Sequence, residues 1–362
     1  MVAQTFKTLI FISIFSLSAT AYANQKNIIF MLSDDQSWSG LSVVMNPPDK
    51  NSSSLYDETP NLEALAAEGT RFTHAYAPSP VCSPSRISIQ TGKTPARVKW
   101  TKAAPFISAE SGQYLIPPQH DKNIAHSEIT IGEMLKTADY KTAHLGKWHL
   151  LGGGPKNHGY DLSDGDTGNK YAAKFYDPNP VDLIGMIERA EEFIDESQNE
   201  NKPFYIQLSF HALHYPENAL IETIKKYNQK YADELKTIEI QRLALNENMD
   251  AAIGRLLNYL EIKNIAKDTF IIFMADNGAF RRFSSLRGGK GALWEGGIRV
   301  PFIIKGPGIP KNTLNYSPIV GYDLFPTFMS IAGLKNYPEY LDGINIIDTF
   351  DAGYSPSSRP NE

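Results

Sequence analysis

Asn27-Ile28-Ile29-Phe30-Met31-Leu32-Ser33-Asp34-Asp35 is an apolar run that stops abruptly on two carboxylates. Its apolarity is near-continuous rather than alternating, as expected of a parallel strand covered on both faces. We read the strand as Asn27 to Leu32, and four further runs share its character: Lys141 to Leu145, Pro203 to Phe210, Thr269 to Ala275 and Val300 to Ile304. Helical signatures lie between them. Thr59 and Pro60 form an N-cap and N1 pair ahead of Leu62, Leu65 and Ala66, with Gly69 at the C′ position. Thr130 and Glu133 make a capping box that opens a helix to Ala138. The stretch from Ile238 to Leu260 carries Leu245, Met249, Ile253, Leu256 and Leu260 at helical spacing. Strands alternating with helices predict an α/β fold with a mostly parallel central sheet sandwiched by helices.

The chain as a whole is globular in composition. Of 362 residues 42% are hydrophobic and 21% charged, which excludes collagen-like, low-complexity and mainly disordered chains. The net charge of −5 leaves no basic field to hold nucleic acid, so an anionic ligand has to be met by a local cluster of cations. Residues 1–23 read as a secretory signal peptide: Lys7, an apolar run from Leu9 to Leu17, and Ala21-Tyr22-Ala23 as a small-x-small cleavage site. The expected location is therefore periplasmic or secreted. That run is too short to span a bilayer, and no later one approaches the roughly 20 apolar residues a transmembrane helix needs. Cys82 is the single cysteine, so an exported chain here has no disulfide of its own and the thiol asks for another role.

Four of the five strands are followed at once by polar residues: Asp34-Asp35, Lys147-Trp148-His149, His211 with His214, and Asp276-Asn277. Ligands of open α/β sheets bind beyond the carboxyl ends of strands, so groups far apart in sequence can converge there. Asp34-Asp35 and Asp276-Asn277 are hard oxygen donors, suited to Ca²⁺ or Mg²⁺ rather than Zn²⁺. Either pair alone also reads as an ordinary turn. In Val81-Cys82-Ser83-Pro84-Ser85-Arg86, Ser83 is expected to N-cap a helix with Pro84 at N1. Cys82 would then lie just outside a helix N-terminus, where the dipole acidifies a thiol.

Cys82-Ser83-Pro84-Ser85-Arg86, running on to Thr91-Gly92-Lys93, resembles the signature of the formylglycine-dependent sulfatases, and Gly146-Lys147-Trp148-His149 resembles their second signature. Asp34-Asp35, His211-Ala212-Leu213-His214, Asp276-Asn277-Gly278 and Gly288-Gly289-Lys290 through Trp294-Glu295-Gly296-Gly297 match in order. The resemblance covers Asn27 to Gly343 and implies an alkaline-phosphatase-like fold, with residues 24–343 as the catalytic domain. It implies that Cys82 is converted to formylglycine by a formylglycine-generating or anaerobic sulfatase-maturating enzyme. The hydrated aldehyde would attack the sulfur of a sulfate ester on a polysaccharide or oligosaccharide. One Ca²⁺ would be bound by Asp34, Asp35, Asp276, Asn277 and an oxygen of modified residue 82. Arg86 would hold the hydrate, and Lys147 and Lys290 would contact sulfate oxygens. His149 would take the hydrate's remaining proton, and His211 would protonate the leaving alcohol. His214 stays open between a structural and a catalytic role, and Lys93 is left outside the site.

Members of this family usually continue into a smaller C-terminal antiparallel subdomain. Asp342-Gly343-Ile344 resembles the approach to it, and 344–362 is expected to be an irregular tail where that subdomain is truncated. Sugar recognition is expected on two loops, Trp100 to Ser127 and Gly152 to Pro180, with Trp38, Trp100 and Tyr114 as stacking candidates. A phosphate or phosphonate monoesterase of the same superfamily and a non-catalytic glycan-binding protein are the competing readings.

Overall fold

The computed structural model describes residues 25–103, 111, 112, 114, 123–336, 338 and 340–350. The proposed signal peptide, most of the 104–122 loop and Ser355 to Pro360 of the tail lie outside the described residues. The strands are β1 (Asn27–Ser33), β2 (Thr70–Phe72), β3 (Ala75–Tyr76), β4 (Lys141–Gly146), β5 (Leu162–Ser163), β6 (Phe204–Ser209), β7 (Thr269–Ala275), β8 (Phe302–Lys305), β9 (Thr313–Asn315) and β10 (Ile319–Val320). Eight of them form one sheet in the order β5-β4-β6-β1-β7-β8-β2-β9. β4, β6, β1 and β7 run parallel, with Ile29 opposite both Ile206 and Ile271. The carboxyl ends of these four neighbours therefore share one edge, and they are the four strands followed by polar residues.

One strand expectation is corrected. The run Val300 to Ile304, expected with the parallel set, carries β8, which pairs antiparallel with β7 and with β2. A strand buried on both faces is apolar in either direction, so composition cannot report polarity. The short strands β2, β5 and β9 gave no sequence signal; with three, two and three residues they are too brief for any period to register.

Side chains of β1 alternate between two cores. Ile29 and Met31 join the core under the Pro60–Ala67, Leu183–Asn199 and Thr237–Ile262 helices, while Ile28, Phe30 and Leu32 join that under Cys82–Thr91, Ile131–Lys136 and Leu324–Ile331. The capping box of Thr130 and Glu133 is present. Thr59 precedes its helix without a side-chain cap bond. Gly69 lies one residue past that helix's C-cap, where a Cβ would sit 2.3 Å from the Ile304 carbonyl oxygen. Among the described residues no helix is long and apolar enough to cross a membrane. Within 344–350, expected to be irregular, Ile346–Phe350 forms a short 3-10 helix, with Ile346 buried and Phe350 edge-on to Phe72.

A buried polar chain runs between the sheet and the Cys82–Thr91 helix. Gln90 donates to Gln207 at 2.6 Å, Tyr160 donates to Gln90 at 2.7 Å, and Gln207 donates to Ser209 at 3.0 Å, which meets His144 Nε2 at 3.4 Å. Burial, helped by the Arg86 charge, lowers His144 to about 3. The unfolded chain takes a proton on this imidazole below about pH 6.5, whereas the folded chain does not until about pH 3. Its contribution is complete above the unfolded value and is lost as pH falls. We expect His144→Gln to flatten the acid side of the stability curve by up to about 1.4 kcal/mol per pH unit in urea titrations between about pH 6 and 4. An unchanged slope would show that this imidazole does not titrate on unfolding.

Candidate active site

The turn after β1 aims two adjacent carboxylates at one point because Asp35 adopts a left-handed conformation, φ 58°. Backbone bonds tie that turn to its neighbours: Asp34 N–H donates to Ala212 O at 2.8 Å, Leu213 N–H to Asp34 O at 2.6 Å, and Asp276 N–H to Ser33 O at 3.0 Å. Asp34, Asp35, Asp276 and Cys82 each place one ligand-type atom within 4.8 Å of the others, and all four are buried. Asn277 donates from Nδ2 to Asp35 at 2.7 Å, while its Oδ1 is buried with no partner. This concentration of oxygen donors, one of them unsatisfied, fits a hard divalent cation.

The Cys82–Thr91 helix begins two residues earlier than expected. Val81, extended at φ −144°, is its N-cap, so Cys82 is the first helical residue and Pro84 falls inside the first turn, where its missing N–H is harmless. The expected acidification of Cys82 is also corrected. Burial, then the Asp276 and Asp34 carboxylates, push the thiol well above its usual range, outweighing the helix terminus. Gly92 ends the helix in the left-handed conformation, φ 67°.

Three cations face the carboxylates. Arg86 donates to Asp276 from Nε at 2.9 Å and to the Lys147 carbonyl from Nη1 at 2.7 Å, joining the turns after β7 and β4. Lys147 Nζ donates to Asp34 and lies 3.5 Å from the Cys82 sulfur. Lys290 Nζ donates to Asp35 at 2.7 Å. Gly146 makes the Lys147 turn possible: its φ is 85°, and a Cβ there would sit 2.1 Å from the Ser209 carbonyl oxygen.

His149, at φ 61°, donates its N–H to Thr167 O at 2.8 Å and has an unpartnered, buried Nδ1. His211 is 2% exposed, stacks on Tyr171 at 5.6 Å between ring centroids, and has an unpartnered Nε2. Burial and then Lys147 lower both imidazoles, His149 to about 2 and His211 to about 3. His214 binds the Tyr215 carbonyl through Nδ1 at 2.7 Å. Lys93 lies away from the cluster and pairs with Glu128 at 2.6 Å.

Two stacking candidates are corrected: Trp38 is 1% exposed beneath Arg299, and Trp100 is 5% exposed. Both are packing residues, whereas Tyr114 is fully exposed. Sequence reasoning missed Thr167, whose hydroxyl accepts from Trp148 N–H at 2.9 Å and donates to Gly146 O, and Arg242, whose Nη2 donates to Asp35 O at 2.8 Å. Neither lies in a motif. Arg242, flanked by the apolar residues Ile240, Leu243 and Leu245 on the long Thr237–Ile262 helix, was the one available signal.

The sulfatase family model matches residues 26–334, most of the chain. The chain belongs to the sulfatase family. As an enzyme of that family it is a sulfuric ester hydrolase. It is 29% identical to the N-acetylgalactosamine-6-sulfatase of Rattus norvegicus over 385 residues, an alignment that covers 95% of this chain and 69% of that one. With the ulvan-active sulfatase of Formosa agariphila the identity is 26%, covering 88% of this sulfatase and 63% of the relative. The solved structure of Ps i-CgsB bound to k-i-k-neocarrahexaose superposes with a TM-score of 0.73 at 25% identity, covering 89% and 75% of the two chains. The phosphonate monoester hydrolase of Agrobacterium radiobacter shares the fold alone, with a TM-score of 0.66 at 16% identity over 91% of this chain and 78% of that one.

Burial, then the Asp34 charge, push Asp276 up to about 6 against the pull of Arg86, while Lys147 and Arg86 hold Asp34 well below the usual range despite its burial. A divalent cation held by this cluster would need Asp276 ionised, so affinity for added Ca²⁺ is expected to rise as pH increases through about 6 and to level off above it. Calorimetry at about pH 5 and pH 7.5 in buffers of differing ionisation enthalpy should find proton release only at the lower pH. Affinity independent of pH would remove Asp276 from the binding site.

Proposed function

We propose that this sulfatase removes sulfate from a sulfated carbohydrate, using formylglycine made from Cys82 and one Ca²⁺ held by Asp34, Asp35, Asp276, Asn277 and residue 82. The observation that carries the reading is the buried carboxylate set against the helix-initiating Cys82, faced by Arg86, Lys147 and Lys290. The carbohydrate class rests on the relatives, whose names specify N-acetylgalactosamine-6-sulfate and ulvan. When bound, the ion supplies positive charge that neutralises sulfate oxygens and acidifies a hydroxyl it touches, and the hydrated aldehyde supplies that hydroxyl.

This chain's residues do the remaining work. Three carboxylates already balance three cations, so a divalent ion leaves the pocket positive and complementary to an anionic ester. Arg86, fixed by bonds to two turns, orients residue 82, while Lys147 and Lys290 stabilise charge that develops on sulfate oxygens. His149, neutral and with a free ring nitrogen, accepts a proton at residue 82. His211 donates to the leaving oxygen; burial and then the Lys147 charge hold this imidazole neutral, and an anionic ester beside it offsets the second of these and favours its protonation.

Residues 1–23 make the enzyme an exported one, periplasmic or secreted, with a formylglycine-generating or anaerobic sulfatase-maturating enzyme acting on Cys82. Residues 24–343 constitute its catalytic domain.

Cys82→Ala should abolish sulfate release, a fall of at least about 10³-fold in kcat, while circular dichroism and melting temperature stay near those of the parent. The natively matured parent should carry an aldehyde at position 82 in the mass spectrum of that peptide. Turnover by the alanine variant, or phosphate release exceeding sulfate release by the parent, would overturn the reading in favour of another superfamily chemistry.

A further inference from the structure

Residues 279–294 contain four cations, Arg281, Arg282, Arg287 and Lys290, and no carboxylate, in a chain of net charge −5. Lys290 turns inward to Asp35. The three arginines are exposed, and among the described residues none has a hydrogen-bonded or ion-paired side-chain partner. Every other described arginine binds a carboxylate or carbonyl oxygen. Unpaired guanidinium groups gathered on the loop that supplies a site cation are therefore a local exception in this fold.

Aromatic rings hold two of these groups in place without consuming their donors. The Arg287 guanidinium lies 3.4 Å from the centroid of the Trp294 ring, and that of Arg282 lies 4.8 Å from Phe283. A stacked guanidinium keeps its N–H edge free for bidentate recognition of a tetrahedral or planar anion. The loop backbone is fixed to the site. Lys290 N–H donates to Ala279 O at 2.8 Å and Gly291 N–H to Pro80 O at 2.9 Å, two residues before Cys82. Gly289 packs so closely on the loop's first turn that a Cβ would sit 2.5 Å from Arg281 N, which sets the Arg281 backbone directly beside that of Lys290's neighbour. Arg282 also lines a cavity of about 330 Å³ with the hydroxyl-bearing Ser39, Ser54 and Ser285, and Arg242 links its wall to the Asp35 carbonyl. That volume admits one sugar ring.

We infer that this arginine loop binds a second anionic group, a sulfate or carboxylate on the sugar next to the ester being cleaved, and so selects multiply charged glycan chains over singly sulfated ones. The inference rests on the carbohydrate sulfatase reading above. Charge complementarity and continuity with Lys290 favour a flanking unit of the same glycan over a separate macromolecule.

The test compares the matured parent with the R281Q/R282Q/R287Q variant, whose exposed substitutions should leave the melting temperature unchanged. Calorimetric binding of galactan hexasaccharides bearing one or three sulfate esters is measured at low and moderate salt. The parent should bind the triply sulfated probe at least about tenfold more tightly, with a steep salt dependence, and the variant should lose about tenfold on that probe and less than about twofold on the singly sulfated one. Equal losses on both probes, no loss on either, or equal parent affinity for an oligonucleotide of the same charge would overturn the inference. Sulfate release from the same probes is scored separately: arginine-dependent binding without release would sink the hydrolytic reading and leave the anion site standing.

Discussion

Charge held away from water is the constraint on which this architecture depends. Asp34, Asp35 and Asp276 are fully buried, and so is Lys147. Desolvation of such groups costs several kcal/mol per ion even after relaxation, so each must be met by a partner in good geometry. Arg86 meets that demand from a buried helix by bonding Asp276 and the backbone after β4, while Lys147 and Lys290 each engage one carboxylate of the β1 turn. Removing any one partner leaves an uncompensated buried charge, which couples the fold's integrity to the composition of the site.

The parallel sheet makes that concentration of charge attainable. Because β4, β6, β1 and β7 are adjacent and point the same way, their ends deliver a cation, an imidazole and two acidic turns to one edge. Close backbone approaches then set the side chains. Gly146 lies against the Ser209 carbonyl, and Gly278 against that of Gly296, at distances no Cβ would allow. The second contact brings the chain entering antiparallel β8 up to the β7 turn, which closes the side of the site from which Lys290 arrives.

The same field sets the proton inventory. Burial and neighbouring cations keep His149 and His211 neutral, each with an unpartnered ring nitrogen. Those nitrogens are not committed to internal hydrogen bonds, as the proposed proton transfers require. Beyond them the Arg281, Arg282 and Arg287 side chains extend positive potential outward along the loop that carries Lys290, so the acidic protein presents its cations where an anionic chain would lie.

Much of this was legible in residues taken one motif at a time. Strand apolarity located β1, β4, β6 and β7 to within two residues at each end, and the polar residues after them marked the edge where the site forms. Hidden were the direction of β8, the burial of Trp38 and Trp100, and the rise rather than fall of the Cys82 thiol, because each depends on groups remote in sequence: a neighbouring strand, Arg299 over an indole, the burial of a sulfur beside two carboxylates. Local order alone determined which residue types follow which strands, since periodicity and turn chemistry act over a few residues. Only the tertiary structure decided which charges meet, which side chains lose water and which arginines stay unpaired, because electrostatics and burial act through space between segments that the chain keeps far apart.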